Sequence, residues 1–245
     1  MLSWYQTGSG THKTRGRDFM ESKPRTWVLL AGAASGPDVW SRQHRTLPNA
    51  TAFTYPAPTG ADLLEDYVAA VLDQVPPPYV LVGHSLGGAV AQSLAWAHPE
   101  HVVGMALIGT GPHLPVNPAL LAGLASEPEA MLSRIAGWSL ARNADPRLRA
   151  ECQRRMAAWP PSVAEKQFRA CATFDLRGRL APLSVPVRAL VGAEDRMTPP
   201  PLVESLQEVW PGATTDLVPQ AGHLAMLEQP DAVNAWLLAR VAEWG

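Results

Sequence analysis

VLVGHSLGG, Val80–Gly88, ends an apolar run on a glycine, sets a serine two places on, and follows it with two more glycines. An alanine-rich segment comes directly behind. The run reads as a buried strand and the segment after it as a helix. Ser85 therefore sits on a sharp turn that lifts it above the C-terminal edge of a sheet. Such a turn crowds the backbone and requires small residues two before and two after, here Gly83 and Gly87. It also directs the Leu86 N–H and the helix N-terminus at whatever the hydroxyl attacks. This geometry presents Ser85 as a nucleophile. The bare G-x-S-x-G pattern arises by chance in roughly one chain in ten of this size, so its meaning rests on its surroundings.

Working outward, short apolar runs recur, each followed by turn residues and a helical pattern. They are WVLLAG (27–32), TAFTYP (51–56), YVLVG (79–83), VVGMALIG (102–109), VPVRALVG (185–192) and TTDLVP (214–219). Continuous rather than alternating hydrophobicity predicts strands covered on both faces. GADLLEDYVAAVLDQV, LGGAVAQSLAWAHPE, PPLVESLQEVW and PDAVNAWLLARVAEW carry helical spacing between them. This alternation predicts a doubly wound, mostly parallel α/β sheet. It breaks once. Residues 112–184 hold only PALLAGLAS, EAMLSRIAGWSLA, DPRLRAECQRRMAAW and SVAEKQFRACATF, four helical candidates in a row. The expected organisation is a core of residues 1–111 and 185–245, with residues 112–184 as an all-helical cap over one sheet edge.

Composition narrows the partners. A hydrophobic fraction of 47% against 17% charged suits a chain that buries a large core. Lys plus Arg number 20 against 22 acidic residues, and the net charge of −2 gives no case for nucleic acid. The apolar runs are too short to span a bilayer, and MLSWYQTGSG lacks the apolar centre of a signal peptide. Cys152 and Cys171 have no metal or redox spacing and read as reduced, buried thiols, so the cytoplasm is the expected compartment. Residues 112–181 carry nine Arg and one Lys against six acidic residues. A solvated helix face accounts for that surplus; the alternative is attraction of an anionic or carrier-linked substrate.

A serine nucleophile needs a base, and the base an orienting acid. VPVRALVG runs into AEDRMTPP, which puts Asp195 on a strand-end loop, and the next strand leads to VPQAGHLAMLEQP, which puts His223 on the following one. Both loops leave the sheet edge that carries Ser85, and the chain order serine, aspartate, histidine suits these roles. Glu194 is the rival acid, but the frame from Gly192 to Pro199 favours Asp195. His84 reads as structural.

GHSLGG, GAEDRMTP, AGHLAMLEQP and Trp40 together resemble the α/β-hydrolase fold superfamily, and within it the capped serine esterases and lactonase-like members. The resemblance spans nearly the whole chain, with WVLLAG as the family's third strand and the cap after its sixth. It implies a second oxyanion donor at the Ala33 N–H, beside that of Leu86. The family usually has His-Gly where this chain has Ala31-Gly32, so the side chain that would hold this loop is missing.

The expected activity is hydrolysis of a carboxylic ester, lactone or thioester of a small to medium apolar acyl group, through an acyl-enzyme on Ser85. No metal or organic cofactor is required. Trp138, Trp159 and His113 are the candidates for substrate contacts, although His113 also reads as a plain loop histidine. Two other functions use the same residues differently. The first is C–C hydrolysis, cyanohydrin cleavage or perhydrolysis by the same three side chains, and the second is a receptor that only binds.

Overall fold

The computed structural model describes residues 25–58, 60, 62–179 and 184–245. The N-terminal stretch assessed above for a signal peptide lies outside the described residues. Six parallel strands form one sheet: β1 (Thr26–Leu30), β2 (Ala50–Ala52), β3 (Tyr79–His84), β4 (Val102–Ile108), β5 (Val187–Gly192) and β6 (Thr214–Val218). Their order across the sheet is β2-β1-β3-β4-β5-β6. Every residue of β3, at the centre, is buried, as its unbroken apolar run predicts. The edge strands β2 and β6 are largely open on one side, and Leu217 of β6 is exposed.

Helices cover both faces. The helix after the serine, α3 (Leu86–Ala97), packs across β1, β3 and β4 beside α2 (Leu63–Gln74). On the opposite face lie α1 (Ser41–Thr46) and the terminal α10 (Pro230–Trp244). There Trp244 stacks on Trp27, with ring centroids 6.5 Å apart, over the space left by Gly104. Two shorter helices, α8 (Pro200–Glu204) and α9 (Ala225–Glu228), follow β5 and β6. Among the described residues no helix is long and apolar enough to cross a membrane.

Between β4 and β5 come four helices in succession: α4 (Pro118–Ser126), α5 (Pro128–Trp138), α6 (Pro146–Ala157) and α7 (Pro161–Thr173). With β1 counted as the family's third strand, β4 is its sixth. Each helix has proline in its first turn, where the missing N–H costs nothing, and Asn117 and Asp145 cap α4 and α6 through their side chains. The ends of this insertion are stitched together. Leu176 N–H donates to the Pro112 carbonyl at 2.8 Å, beside an antiparallel bridge between His113 and Asp175.

A buried amide fixes α3 to the end of β4. Gln92 is fully buried; its Nε2 donates to the Gly111 carbonyl at 2.9 Å, and its Oε1 accepts from Trp210 Nε1 at 3.1 Å. Gln92→Leu keeps the volume but strands the buried indole N–H and the carbonyl. Such orphaned groups cost about 1–3 kcal/mol each, so urea denaturation should show a loss of about 2–6 kcal/mol.

Candidate active site

Ser85 has φ 52° and ψ −116°, a left-handed conformation unusual for a residue with a side chain. The packing around it leaves little choice. A Cβ on Gly87 would lie 2.2 Å from the Leu30 carbonyl oxygen, and one on Gly83 would lie 2.6 Å from that of Gly87. The serine backbone is bonded on both sides. Its N–H donates to Ile108 at 3.1 Å, and its carbonyl accepts from the Thr110 hydroxyl at 3.1 Å as well as from the first turn of α3. Its own hydroxyl has no protein partner among the described residues and lines a pocket.

His223 lines that same pocket. Its Nδ1–H donates to Asp195 Oδ2 at 2.8 Å, which leaves Nε2 as the free ring nitrogen. The Asp195 side chain is fully buried and well supplied with donors. Oδ1 accepts from the Met197 and Thr198 N–H groups at 2.8 and 2.9 Å, and Oδ2 from the Thr198 hydroxyl at 2.9 Å. Burial alone would raise its pKa, but the His223 charge and these hydrogen bonds outweigh it, and the carboxyl titrates below its ordinary value. The adjacent Glu194 points elsewhere and accepts from the Arg142 N–H at 3.0 Å.

Gly109, at φ 54°, closes over this pair; a Cβ there would meet His223 Nδ1 at 3.1 Å and Asp195 Oδ2 at 3.2 Å. His84 supports it from the other side. Its Nε2–H donates to the His223 carbonyl at 3.0 Å, and the two rings lie 4.6 Å apart. Burial above all, then the His223 charge, pushes the His84 pKa down to about 3, so the ring is neutral.

The pocket encloses about 50 Å³ between the sheet edge and the insertion. Its walls include Ala33, Leu114, Ile135, Phe168 and Met197. Cys171 also faces it, but burial pushes that thiol up to about 12, so it stays protonated and is no rival nucleophile. The N–H groups of Ala33 and Leu86 have no partner within the described protein. Ala33 lines the pocket together with Ser85, and Leu86 follows the serine directly. A second cavity of about 460 Å³ adjoins the first, sharing Ser35, Met156 and Leu224 and lined further by Arg154, Arg155 and Trp159.

Two other residues singled out in the sequence do not line this pocket themselves. Trp138 is 42% exposed and lines a groove with Met131 and Arg196 that shares Pro115, Val116, Phe168 and Met197 with the pocket. His113 lines another, with Asp175 and Arg177, that shares Leu114, Pro115 and Val116 with it. One cluster among the described residues has metal-ligand chemistry: His98, Glu100 and His101, at the far end of α3. Its two imidazoles stack with planes 10° apart, so their in-plane lone pairs do not converge on one point.

A sequence model described as the alpha/beta hydrolase family matches residues 16–236. The chain belongs to the alpha/beta hydrolase family. Its named relatives are carboxylic ester hydrolases. The pimeloyl-[acyl-carrier protein] methyl ester esterase of Klebsiella pneumoniae (strain 342) is 30% identical over 201 residues, covering 76% of this chain and 78% of the relative. The enzyme of the same name from Aromatoleum aromaticum is 30% identical over 234 residues, covering 83% and 93%. A thermophilic esterase of known structure is 26% identical and superposes with a TM-score of 0.76, over 91% of this chain and 92% of that one.

Several members of this hydrolase's site escaped the sequence reading. Thr198 sits three residues after Asp195, in the turn that ends at Pro199, and its position offered a signal. Gly109 and Thr110 follow a strand end, and their contacts with the Asp195–His223 pair and Ser85 have no local signal in the sequence. Gln167 lies mid-helix in the insertion, yet its Oε1 accepts from the Ala34 N–H at 2.8 Å. Nothing in its local sequence signals that contact.

The lowered pKa of His84 has a consequence for stability. The unfolded chain takes up a proton there near 6.5, and the folded chain only near 3. Between those values the unfolded state holds the extra proton, so stability rises with pH across the window and is lost as pH falls from 6.5 towards 3. His84→Gln should flatten the pH profile of unfolding free energy there by up to one proton, about 1.4 kcal/mol per pH unit. Urea titrations of both proteins at several pH values measure it.

Proposed function

We propose that this hydrolase cleaves a carboxylic ester, lactone or thioester through an acyl-enzyme on Ser85. His223 Nε2 takes the serine proton and returns it to the leaving group, while Asp195 holds the imidazole in that tautomer and stabilises the imidazolium. The Ala33 and Leu86 N–H groups stabilise the tetrahedral oxyanion. Water then releases the acyl group. No step calls for a metal or organic cofactor. The observation that carries this reading is the meeting of the strained Ser85, the Asp195–His223 pair and the unpaired Ala33 N–H at one pocket.

In this reading residues 112–184 act as the cap and residues 1–111 and 185–245 as the core; the stitched ends of the insertion support that division. The cavity beside Ser85 has room for a short group only, and the adjoining one has room for a longer arm. That suits an ester with one small side and one medium, apolar side. The two curated relatives are named for methyl esters, small on the alcohol side, whose acyl group is carried on a protein. Trp159 would contact the longer arm.

Ser85→Ala should lower ester turnover by ~10⁴-fold or more while leaving the fold intact, and a fluorophosphonate should label Ser85 alone. Asp195→Asn should cost about 10⁴-fold, because asparagine favours the wrong tautomer, and Glu194→Gln far less. A Ser85→Ala protein that kept most of its activity would sink the assignment, and a reversed Asp195/Glu194 order would move the acid by one residue.

The arginines that line the second cavity are held in ion pairs, although the cap's surplus is already net of its own carboxylates and only Asp38 comes from outside it. Arg154 and Arg155 both pair with Glu151, Arg155 also with Asp38, Arg169 with Glu165, and Arg177 with Asp175. We therefore assign the substrate as a small-molecule ester and give these arginines no steering role. Esters ending in a carboxylate should be turned over no faster than neutral analogues, and kcat/KM should stay flat as salt rises. Exposed charges that steered a substrate would be screened beyond about 8 Å at physiological ionic strength. A steep fall with salt, removed by charge reversal at Arg154 and Arg155, would instead favour an anionic or carrier-linked substrate.

A further inference from the structure

The loop that carries the Ala33 N–H lacks the histidine that the family usually places at position 31. Something else must hold it, because Ala34 has φ 50° and left-handed backbone at a residue with a Cβ persists only where its surroundings impose it. Within the loop the one side-chain contact is weak, the Ser35 hydroxyl donating to the Ala33 carbonyl at 3.3 Å. The strong contact comes from the insertion. Gln167 on α7 is 1% exposed, and its Oε1 accepts from the Ala34 N–H at 2.8 Å. Its orientation is set from behind, because its Nε2 donates to the Tyr67 hydroxyl at 3.1 Å. Tyr67 in turn stacks on Tyr55, with ring centroids 4.1 Å apart and planes 13° from parallel.

We infer that Gln167 is a positioning residue for the oxyanion hole. By holding the Ala34 N–H it turns that donor toward the insertion and keeps its neighbour, the Ala33 N–H, free at the pocket. One buried amide from α7 thus does the work that the family usually gives to a histidine within the loop. This rests on the acyl-enzyme reading above. Because the oxyanion forms only in the transition state, losing Gln167 should lower kcat and leave substrate binding largely as it was.

The test is a set of variants at one position, each assayed for kcat, KM and affinity for an alkylboronic acid, which forms a tetrahedral adduct on a serine. Gln167→Leu removes the acceptor, and Gln167→Asn draws it back by one methylene while staying polar enough to fold. Both should lose about 10- to 100-fold in kcat with KM within threefold, the scale expected for a displaced oxyanion donor. Boronate affinity should fall by a similar factor. Gln167→Glu keeps an acceptor for the Ala34 N–H and should retain most of both. A merely structural amide would lower the unfolding midpoint without changing the ratio of boronate to substrate affinity, and that result overturns the inference. So does a Gln167→Glu variant as impaired as Gln167→Leu. Failure of the acyl-enzyme reading is recognised separately, since wild-type protein would then take up neither fluorophosphonate nor boronate.

Discussion

The approach of the first turn of α3 to the strand ends beneath it governs this structure. Gly87 lies so close to the Leu30 carbonyl that a single methyl group would overlap it, and Gly83 lies as close to Gly87 and Gly88. With the helix that near, the chain cannot leave β3 by an ordinary turn, and Ser85 takes up the left-handed conformation as a result. Three consequences follow from the one constraint. The hydroxyl stands free above the sheet edge, the first N–H of the helix is left unpaired beside it, and the end of β1 is brought under the same pocket. The strain at Ser85 is held by bonds from β4, through Ile108 and Thr110, so the elbow and the strand beside it form one mechanical unit.

What the sequence revealed divides along a physical line. Buried strands declared themselves because burial on both faces forces unbroken apolar runs, as in β1, β3, β4 and β5. The four helices of the insertion were legible as helical candidates, and the proline at each N-terminus and the caps at Asn117 and Asp145 are further local signals that the structure brings out. The Asp195–His223 pair was legible because the two loops leave strands whose direction the alternation already determined. Contacts made across the fold were a different matter. Gln167 reaches Ala34 over 133 positions, and Gln92 reaches Trp210 over 118. A mid-helix glutamine has the same local context whether it faces solvent or a buried backbone donor. The edge strands were harder for a related reason: TAFTYP and TTDLVP pair on one side only, and β2 shrinks to three residues.

His84, read from the sequence as structural, does more than hold its own strand. Its ring lines the pocket with Ser85, and its Nε2–H donates to the His223 carbonyl, supporting that loop through the backbone rather than the ring. Gly32 is small for the same reason, since a Cβ there would lie 2.8 Å from the His84 ring. The loop after β1, the elbow and the histidine loop are thus packed around one neutral imidazole. Burial keeps that imidazole uncharged, with Nε2 bonded and Nδ1 left as a buried acceptor without a partner among the described residues.

The insertion is bound to both flanks of the pocket, which constrains how a substrate enters. On the histidine side, Glu228 accepts from the Gly222 N–H at 2.7 Å and from the Ala141 N–H at 2.8 Å, and the Leu224 N–H donates to the Ser139 carbonyl at 3.1 Å. Gly222 is in such close contact with Leu140 and Ala141 that a Cβ would not fit. Arg196 adds bonds to the carbonyls of Gly137, Trp138 and Leu140. On the serine side stand the Gln167–Ala34 bond and the Arg155–Asp38 pair. Lifting the four helices as a body would break all of these together and expose the apolar side chains packed beneath them. Access past Ser35, Met156 and Leu224, where the two cavities share their walls, requires only side-chain movement. The covering helices therefore act as a fixed wall, and the residues that the pocket shares with its neighbouring cavities are the ones placed to select among substrates.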